Sequence, residues 1–170
     1  MASQTSLLGS AGEHYVLCQL LRRDWVAAIA PEGVPNTDII ITDIEGNKQY
    51  AIQVKSRRNI GSAKGWHMGK KHESIISDSL IYCFVDMGDS PSDSPVTYVI
   101  PSRVVATVIK AAHAIWLKTP GKTGNKHNDS DMRRLQYDYS QTIPLTADQQ
   151  PKMGPGWLDQ YRESWDLLNS

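Results

Sequence analysis

Apolar residues recur at helical spacing in residues 6–23 and in residues 102–117, and each stretch predicts an amphipathic helix. Ser102 stands where the N-cap of the second helix is expected. Short runs rich in Val, Ile and aromatic residues predict strands at residues 25–29, 37–42, 49–55, 80–87 and 96–100. This order of elements predicts a mixed α/β fold.

The remaining segments have weaker patterns. Residues 57–72 are rich in glycine and polar residues and are predicted to form a loop. Near the C-terminus, one face of a predicted helix carries Trp157, Tyr161, Trp165 and Leu168. We therefore expect residues 1–118 to form a core and residues 119–170 to extend the same domain through a loop and this docking helix.

Length and composition indicate one globular domain. The chain has 170 residues, of which 40% are hydrophobic and 21% charged, and these values exclude collagen-like, coiled-coil and mainly disordered proteins. The longest mostly apolar run, residues 104–117, is too short to span a bilayer, and the N-terminus has no secretory signal pattern. Cys18 and Cys83 are too few for a disulfide framework. We expect a cytoplasmic protein with no membrane partner.

The charges balance overall, 18 basic against 18 acidic, but they are distributed unevenly. No acidic residue lies between Glu45 and Glu73, and this interval is rich in lysine, arginine and histidine. A folded domain with this distribution would present one basic face, which suits a polyanion. A solvated surface without a binding role is the alternative.

Glu13 continues an apolar stripe of the first predicted helix, because positions 13, 16, 17 and 20 share one helical face. An unpaired carboxylate on a face that packs against a sheet would be costly, so Glu13 is expected to meet a cation, a lysine or water. The alternative is that Glu13 points outward near the helix start, where the helix dipole favours an acid.

Two further polar positions stand out in the predicted strands. Asp38 begins a strand whose next three residues are all isoleucine, and a turn-capping role is its simplest alternative. In the following strand, Gln53 and Lys55 share one face. Solvation of an edge strand is the alternative interpretation of these two residues.

A hairpin between the two strands would return Gln53 and Lys55 close to Asp38, and the first helix can pack across the same sheet. Two carboxylates and an amide oxygen form a hard oxygen site that suits Mg²⁺ or Mn²⁺. The adjacent lysine supplies a positive charge where a phosphate or an attacking hydroxide would lie.

Three short segments, Gly12-Glu13, Asp38 and Gln53-Val54-Lys55, resemble the core motifs of the PD-(D/E)XK nuclease superfamily, in its branch with a Gln-x-Lys third motif. The resemblance covers residues 8–58 and extends more loosely to residues 96–117. It implies a restriction-endonuclease-like mixed sheet flanked by helices in a single domain, with the nuclease core in residues 1–118.

The resemblance also implies a metal-dependent endonuclease that hydrolyses phosphodiester bonds in DNA. Glu13 and Asp38 would hold Mg²⁺ or Mn²⁺, Gln53 would lend an oxygen ligand or position the water, and Lys55 would stabilise the developing charge. Thr37 replaces the proline that often precedes the aspartate. Because Gln53 is neutral, the site has two formal negative charges instead of three, which leaves open a module that binds nucleic acid without cutting it.

The basic loop after Lys55 is expected to grip the DNA backbone. Trp66 is expected either to stack on a nucleotide or to be a buried anchor of the loop. The full set of expected nucleic-acid-binding residues is Arg57, Arg58, Lys64, Trp66, His67, Lys70 and Lys71. A homodimer and a protein-interaction subunit that docks a partner through its exposed strands and C-terminal helix remain open.

Overall fold

The computed structural model describes residues 3–58, 65–121 and 124–169. Within these residues the helices are α1 (Gln4–Leu21), α2 (Ser102–Lys118) and the short α3 (Gln150–Met153). The strands are β1 (Val26–Ile29), β2 (Ile39–Thr42), β3 (Gln49–Arg57), β4 (Gly65–Gly69), β5 (Leu80–Asp86), β6 (Val96–Pro101) and β7 (Met132–Gln136). No helix in the described part of the chain is both long enough and apolar enough to cross a membrane.

Five strands form one mixed sheet in the order β1-β2-β3-β5-β6. The central pair, β3 and β5, is parallel, and the other neighbouring pairs are antiparallel. Strands β4 and β7 form a separate antiparallel pair. The expected mixed α/β domain, with a sheet flanked by helices, is confirmed.

The two faces of the sheet are covered by different elements, because side chains alternate along each strand. On one face, Val16 and Leu20 of α1 pack with Ile52 and Val54 of β3. The other face carries α2, the β4–β7 pair and Trp157, in a cluster that also includes Tyr82, Phe84, Ile109 and Leu135. The end of the C-terminal segment, with Trp165 and Leu168, packs on the α1 face. The predicted split of β3 into two faces is therefore correct.

Residues 57–72 are not the single loop that the sequence predicted. They include β4 and, directly after it, one turn of 3₁₀ helix at Lys70–Glu73. Strand β4 pairs with β7, whose residues come more than sixty positions later in the chain. A five-residue strand bounded by glycines has little pattern of its own, and its pairing depends on this distant partner.

The predicted helix across residues 157–168 is also wrong. The segment forms two 3₁₀ turns, Asp159–Tyr161 and Trp165–Leu168. Glu163 separates them with a φ of 50°, which a helix does not accommodate. The Glu163 backbone N–H donates to the Thr97 carbonyl (2.7 Å), and its carboxylate accepts from the Thr97 N–H (2.6 Å). The segment therefore docks on the edge of β6 and still buries Trp157, Trp165 and Leu168.

Ser102 is not the N-cap of α2, because Pro101 occupies that position. The Ser102 hydroxyl instead donates to the Ser77 carbonyl (2.7 Å) and accepts from the Ser77 N–H (2.9 Å). This side chain therefore joins the start of α2 to the turn before β5. The division of the domain into a core of residues 1–118 and an extension of residues 119–170 stays a prediction.

Candidate active site

Asp38 lies immediately before β2 and is held by both neighbouring strands. Its backbone N–H donates to the Ile52 carbonyl (2.9 Å), and its carbonyl accepts from the Ala30 N–H (2.9 Å). Its carboxylate oxygen Oδ2 accepts from the Val54 backbone N–H (2.7 Å) and from the Gln53 side-chain amide. The Asp38 carboxylate therefore has a defined orientation toward β3.

Gln53 and Lys55 project from the same face of β3, as predicted. Gln53 is 6% exposed, and Lys55 is partly buried. Burial lowers the pKa of Lys55, and the nearby Lys71 acts in the same direction, whereas Asp38 and Glu13 raise it. The Lys55 ammonium therefore interacts electrostatically with the carboxylates of Asp38 and Glu13.

Glu13 is partly buried at the point where α1 crosses β3. Burial is the largest cause that raises the pKa of Glu13, and the Asp38 carboxylate adds to it. His14 and Lys55 lower the same pKa. Glu13, Asp38 and Lys55 therefore lie within electrostatic range of one another, although they are far apart in the sequence.

This donor set fits a hard divalent cation. The Asp38 carboxylate raises the pKa of Glu13, so a cation between the two groups would be favourable, and the Gln53 amide that donates to Asp38 also carries an oxygen. The described residues contain no cluster of three or more His, Cys, Asp or Glu side chains suited to a metal. Any metal at this position would therefore depend on the amide as well as on Glu13 and Asp38.

Arg57 does not belong to the nucleic-acid-binding surface that the sequence predicted. It is 8% exposed, and its guanidinium lies 3.5 Å from the Asp86 carboxylate. The guanidinium also lies over the rings of Trp66 (5.7 Å) and Tyr137 (5.2 Å). Because β3 continues through Arg57, this side chain enters the core instead of a loop.

Trp66 cannot stack on a nucleotide, because it is 1% exposed. Its indole N–H donates to the Val85 carbonyl (3.0 Å), and its ring contacts Phe84, Tyr98 and Tyr137. The alternation along β4 turns Trp66 inward and the next residue, His67, outward. Of the two roles expected for Trp66, the structure therefore supports the buried anchor.

The other predicted basic contacts fall into three groups. Arg58, His67 and Lys71 are exposed. Lys70 is exposed but makes an ion pair with Asp129 (2.8 Å). Lys64 lies outside the described residues. The charge of Lys71 lowers the pKa of Lys55, so Lys71 lies within electrostatic range of the candidate site.

Sequence reasoning missed His72 and Tyr82. His72 is 3% exposed, and its Nδ1 lies 2.7 Å from the Tyr82 hydroxyl oxygen. Tyr82 is the β5 residue that pairs with Gln53. The only sequence signal was a tyrosine on one face of a predicted strand, and its relation to Gln53 depends on the pairing of β3 with β5.

A cavity of about 330 Å³ lies between α2 and β7, and none of the four candidate residues lines it. Two of its polar lining residues, His113 and Arg133, already contact Asp129. The candidate site is thus a separate feature at the junction of α1, β2 and β3.

By sequence, the chain matches no protein-family model and no curated protein. Its structure is similar to the bacterial homing endonuclease I-Ssp6803I, with a TM-score of 0.51 and 14% identity over 98% of this chain and 93% of that one. It also matches Hjc, a Holliday junction resolvase from Archaeoglobus fulgidus, with a TM-score of 0.45 and 12% identity over 82% of this chain and 93% of Hjc. The likeness to the homing endonuclease covers nearly the whole chain and confirms the restriction-endonuclease-like fold.

Proposed function

We propose that this protein is a metal-dependent nuclease that hydrolyses phosphodiester bonds in DNA. The observation that carries the proposal is the Asp38 carboxylate, which Gln53 and the Val54 N–H orient while it interacts electrostatically with Glu13 and Lys55. These are the residue types and positions of the nuclease motifs. The shared fold with a homing endonuclease agrees with this function.

Glu13, Asp38 and the Gln53 amide oxygen are the proposed ligands of Mg²⁺ or Mn²⁺. A bound divalent ion supplies Lewis-acid polarisation of the phosphate and lowers the pKa of a coordinated water. The protein contributes the orientation of its ligands, and the hydrogen bond from Gln53 to Asp38 is one such constraint. A neutral amide in place of a third acid predicts weaker metal affinity than a three-carboxylate site would have.

Lys55 is the proposed stabiliser of the negative charge that develops on the phosphate oxygens. Its partly buried ammonium is less screened by water than a surface lysine, so its attraction for that charge is stronger. Arg58, His67 and Lys71 are the proposed contacts to the DNA backbone. We also propose that residues 1–118 supply the catalytic core and residues 119–170 an extension of the same domain.

The direct test is to incubate the pure protein with duplex, single-stranded and branched DNA in the presence of Mg²⁺ or Mn²⁺. Cleavage is expected with at least one substrate, and Lys55→Ala is expected to reduce its rate by about 100-fold or more. Lys110→Ala, on the exposed side of α2, is a matched control and should cleave like the wild type. The absence of cleavage of every substrate with both ions would contradict the proposal.

A nucleic-acid-binding module of the same fold that does not cut is the second candidate. The neutral Gln53 favours it, because the site then holds two formal negative charges. This candidate predicts salt-dependent DNA binding that Lys55→Ala weakens only slightly, with no strand cleavage under any metal condition.

A further inference from the structure

The antiparallel pair of β4 and β7 has one face toward the main sheet and one face away from it. Trp66 of β4 is opposite Leu135 of β7, and both side chains are buried in the cluster on the main sheet. The next pair along the strands is His67 opposite Arg134. Because side chains alternate along a strand, His67 and Arg134 share the outward face, where directly opposed Cβ atoms are about 5 Å apart.

Arg134 has a different environment from the arginine that precedes it. Arg133 is 4% exposed, and its guanidinium donates to the Glu73 carboxylate and to the Ser130 carbonyl (2.6 Å). Arg134 is partly exposed, and His67 is exposed. Among the residues that the structure describes, neither of these two side chains has a hydrogen-bond or ion-pair partner. Two hydrogen-bond donors therefore lie side by side without a protein acceptor in that part of the chain.

None of the six outward positions of this strand pair is acidic. They are Gly65, His67 and Gly69 of β4 and Met132, Arg134 and Gln136 of β7. Arginine is always protonated, and its guanidinium fork matches the two non-bridging oxygens of a phosphodiester. The imidazole of His67 can donate to the same group. The glycines on either side of His67 place no side chain in the way of a nucleic-acid backbone.

The turn that follows β4 connects this face to the candidate site. His72 in that turn has its Nδ1 2.7 Å from the Tyr82 hydroxyl oxygen, and Tyr82 is opposite Gln53 in the pairing of β3 and β5. Lys71, in the same turn, is exposed. The chain from His67 to Lys71 spans at most about 13 Å, which is the length of about four base pairs of duplex. The outward face therefore lies a few base pairs from Lys71, which is already a proposed backbone contact.

We propose that Arg134 and His67 together bind one phosphate of the DNA backbone, on the same duplex whose scissile phosphate lies at the candidate site. This inference rests on the proposed nuclease function. It gives residues 119–170, which no nuclease motif covers, a part in substrate binding through β7. Such a contact fixes the position of the duplex and carries no sequence information.

The first test measures DNA affinity without cleavage. A labelled duplex is titrated with protein in EDTA at several salt concentrations, and fluorescence anisotropy reports binding. Arg134→Ala is expected to weaken binding by about 10-fold and to reduce the magnitude of the salt-dependence slope by about 1, as loss of one phosphate contact does. Arg22→Ala, which removes an exposed arginine at the end of α1, is the matched control and should bind like the wild type. Equal affinity and slope in Arg134→Ala and the wild type would overturn the proposal.

Arg134→Lys separates the effect of the charge from an effect on the fold. It keeps the positive charge, so it should keep the wild-type salt slope. Both substitutions of Arg134 should melt within about 2 °C of the wild type, as surface substitutions do. If Arg134→Lys lost the slope as Arg134→Ala does, or if Arg134→Ala melted well below the wild type, Arg134 would have a structural role and the proposal would be overturned.

His67→Ala tests whether the two side chains share one phosphate. Alone, it is expected to weaken binding by about 2- to 5-fold. Because both side chains donate to the same group, the variant with both alanines should lose less affinity than the product of the two single losses. A loss equal to that product would assign the two residues to separate phosphates and overturn the shared contact.

These measurements distinguish the failure of this inference from the failure of the proposed function. Cleavage plays no part in them, so DNA binding through Arg134 without strand cleavage would contradict the nuclease and support the phosphate contact. A wild-type protein that binds no DNA would overturn both proposals. DNA binding that Arg134→Ala leaves unchanged would overturn the phosphate contact alone.

Discussion

Gly12 of α1 lies directly against Ser56 of β3: a Cβ atom added to Gly12 would stand 1.7 Å from the Ser56 hydroxyl oxygen. Real side chains do not approach so closely, so the helix reaches the strand only because residue 12 has no side chain. Glu13 follows directly in α1, so its position relative to β3 depends on this contact.

Gly12→Ala is therefore expected to displace α1 from β3. We expect a loss of about 1–3 kcal/mol in the free energy of unfolding and a larger loss of cleavage activity, because Glu13 moves with the helix. Urea denaturation and a cleavage assay measure the two effects. Gly9→Ala is a matched control, since nothing lies within 4 Å of its added Cβ, and it should stabilise the helix.

A compensating substitution tests whether Ser56 is the obstacle. Ser56→Gly removes the hydroxyl group and the Cβ that a methyl group at position 12 would meet. Gly12→Ala should therefore cost less stability in the Ser56→Gly background than in the wild type. Purely additive effects of the two substitutions would contradict this explanation.

Glu13→Gln should separate metal binding from stability. Burial and Asp38 raise the pKa of Glu13, so its ionised form destabilises the metal-free fold above that pKa, and the neutral amide removes this cost. We expect a melting temperature that is slightly higher without metal, together with Mn²⁺ binding that is weaker by calorimetry. The exposed Glu32→Gln is the control. Unchanged Mn²⁺ affinity in Glu13→Gln would exclude Glu13 as a ligand.

The buried His72 predicts a pH-dependent stability. Its folded pKa of about 4 is below the usual 6.5, so between these values the unfolded chain binds a proton that the folded chain does not. Stability should therefore fall as the pH decreases, by about 2 kcal/mol between pH 7 and pH 5 from this residue. Urea unfolding of wild type and His72→Gln measures the difference. His67→Asn, at an exposed position, should retain the wild-type slope.

Two neighbouring arginines are expected to behave differently. Arg58→Ala should weaken DNA binding and reduce the magnitude of the salt-dependence slope by about 1, as loss of one phosphate contact does. Arg57→Ala should instead destabilise the fold by about 2 kcal/mol, since it leaves the Asp86 carboxylate without its guanidinium. Fluorescence anisotropy at several salt concentrations and urea denaturation distinguish the effects. If the two variants lost DNA affinity equally and Arg57→Ala left the free energy of unfolding unchanged, the result would contradict the burial of Arg57.

Much of the candidate site was predictable because its residues lie in segments with strong local patterns. The alternation in β3 placed Gln53 and Lys55 on one face, and the helical stripe of α1 directed Glu13 toward the sheet. Asp38 was recognisable as an acid at the start of an isoleucine-rich strand. These patterns have short periods, so a few neighbouring residues are enough to establish them.

The roles of Arg57, Trp66 and His72 were not predictable in the same way. Each of them depends on β4 or on the turn after it, and β4 is defined by its pairing with β7. The sequence of residues 57–72 favoured a loop because charged residues and glycines are frequent in it.

The amino-acid pattern alone was enough for α1 and α2, for the strands of the main sheet and for the residue types of the proposed metal site. The three-dimensional fold determined which basic side chains reach the surface, that Glu163 interrupts the segment predicted as a helix, and that His72 contacts Tyr82. The physical reason is the distance along the chain over which each effect acts. Periodicity reports which face of one element is apolar, whereas burial and pairing depend on partners supplied by distant parts of the chain.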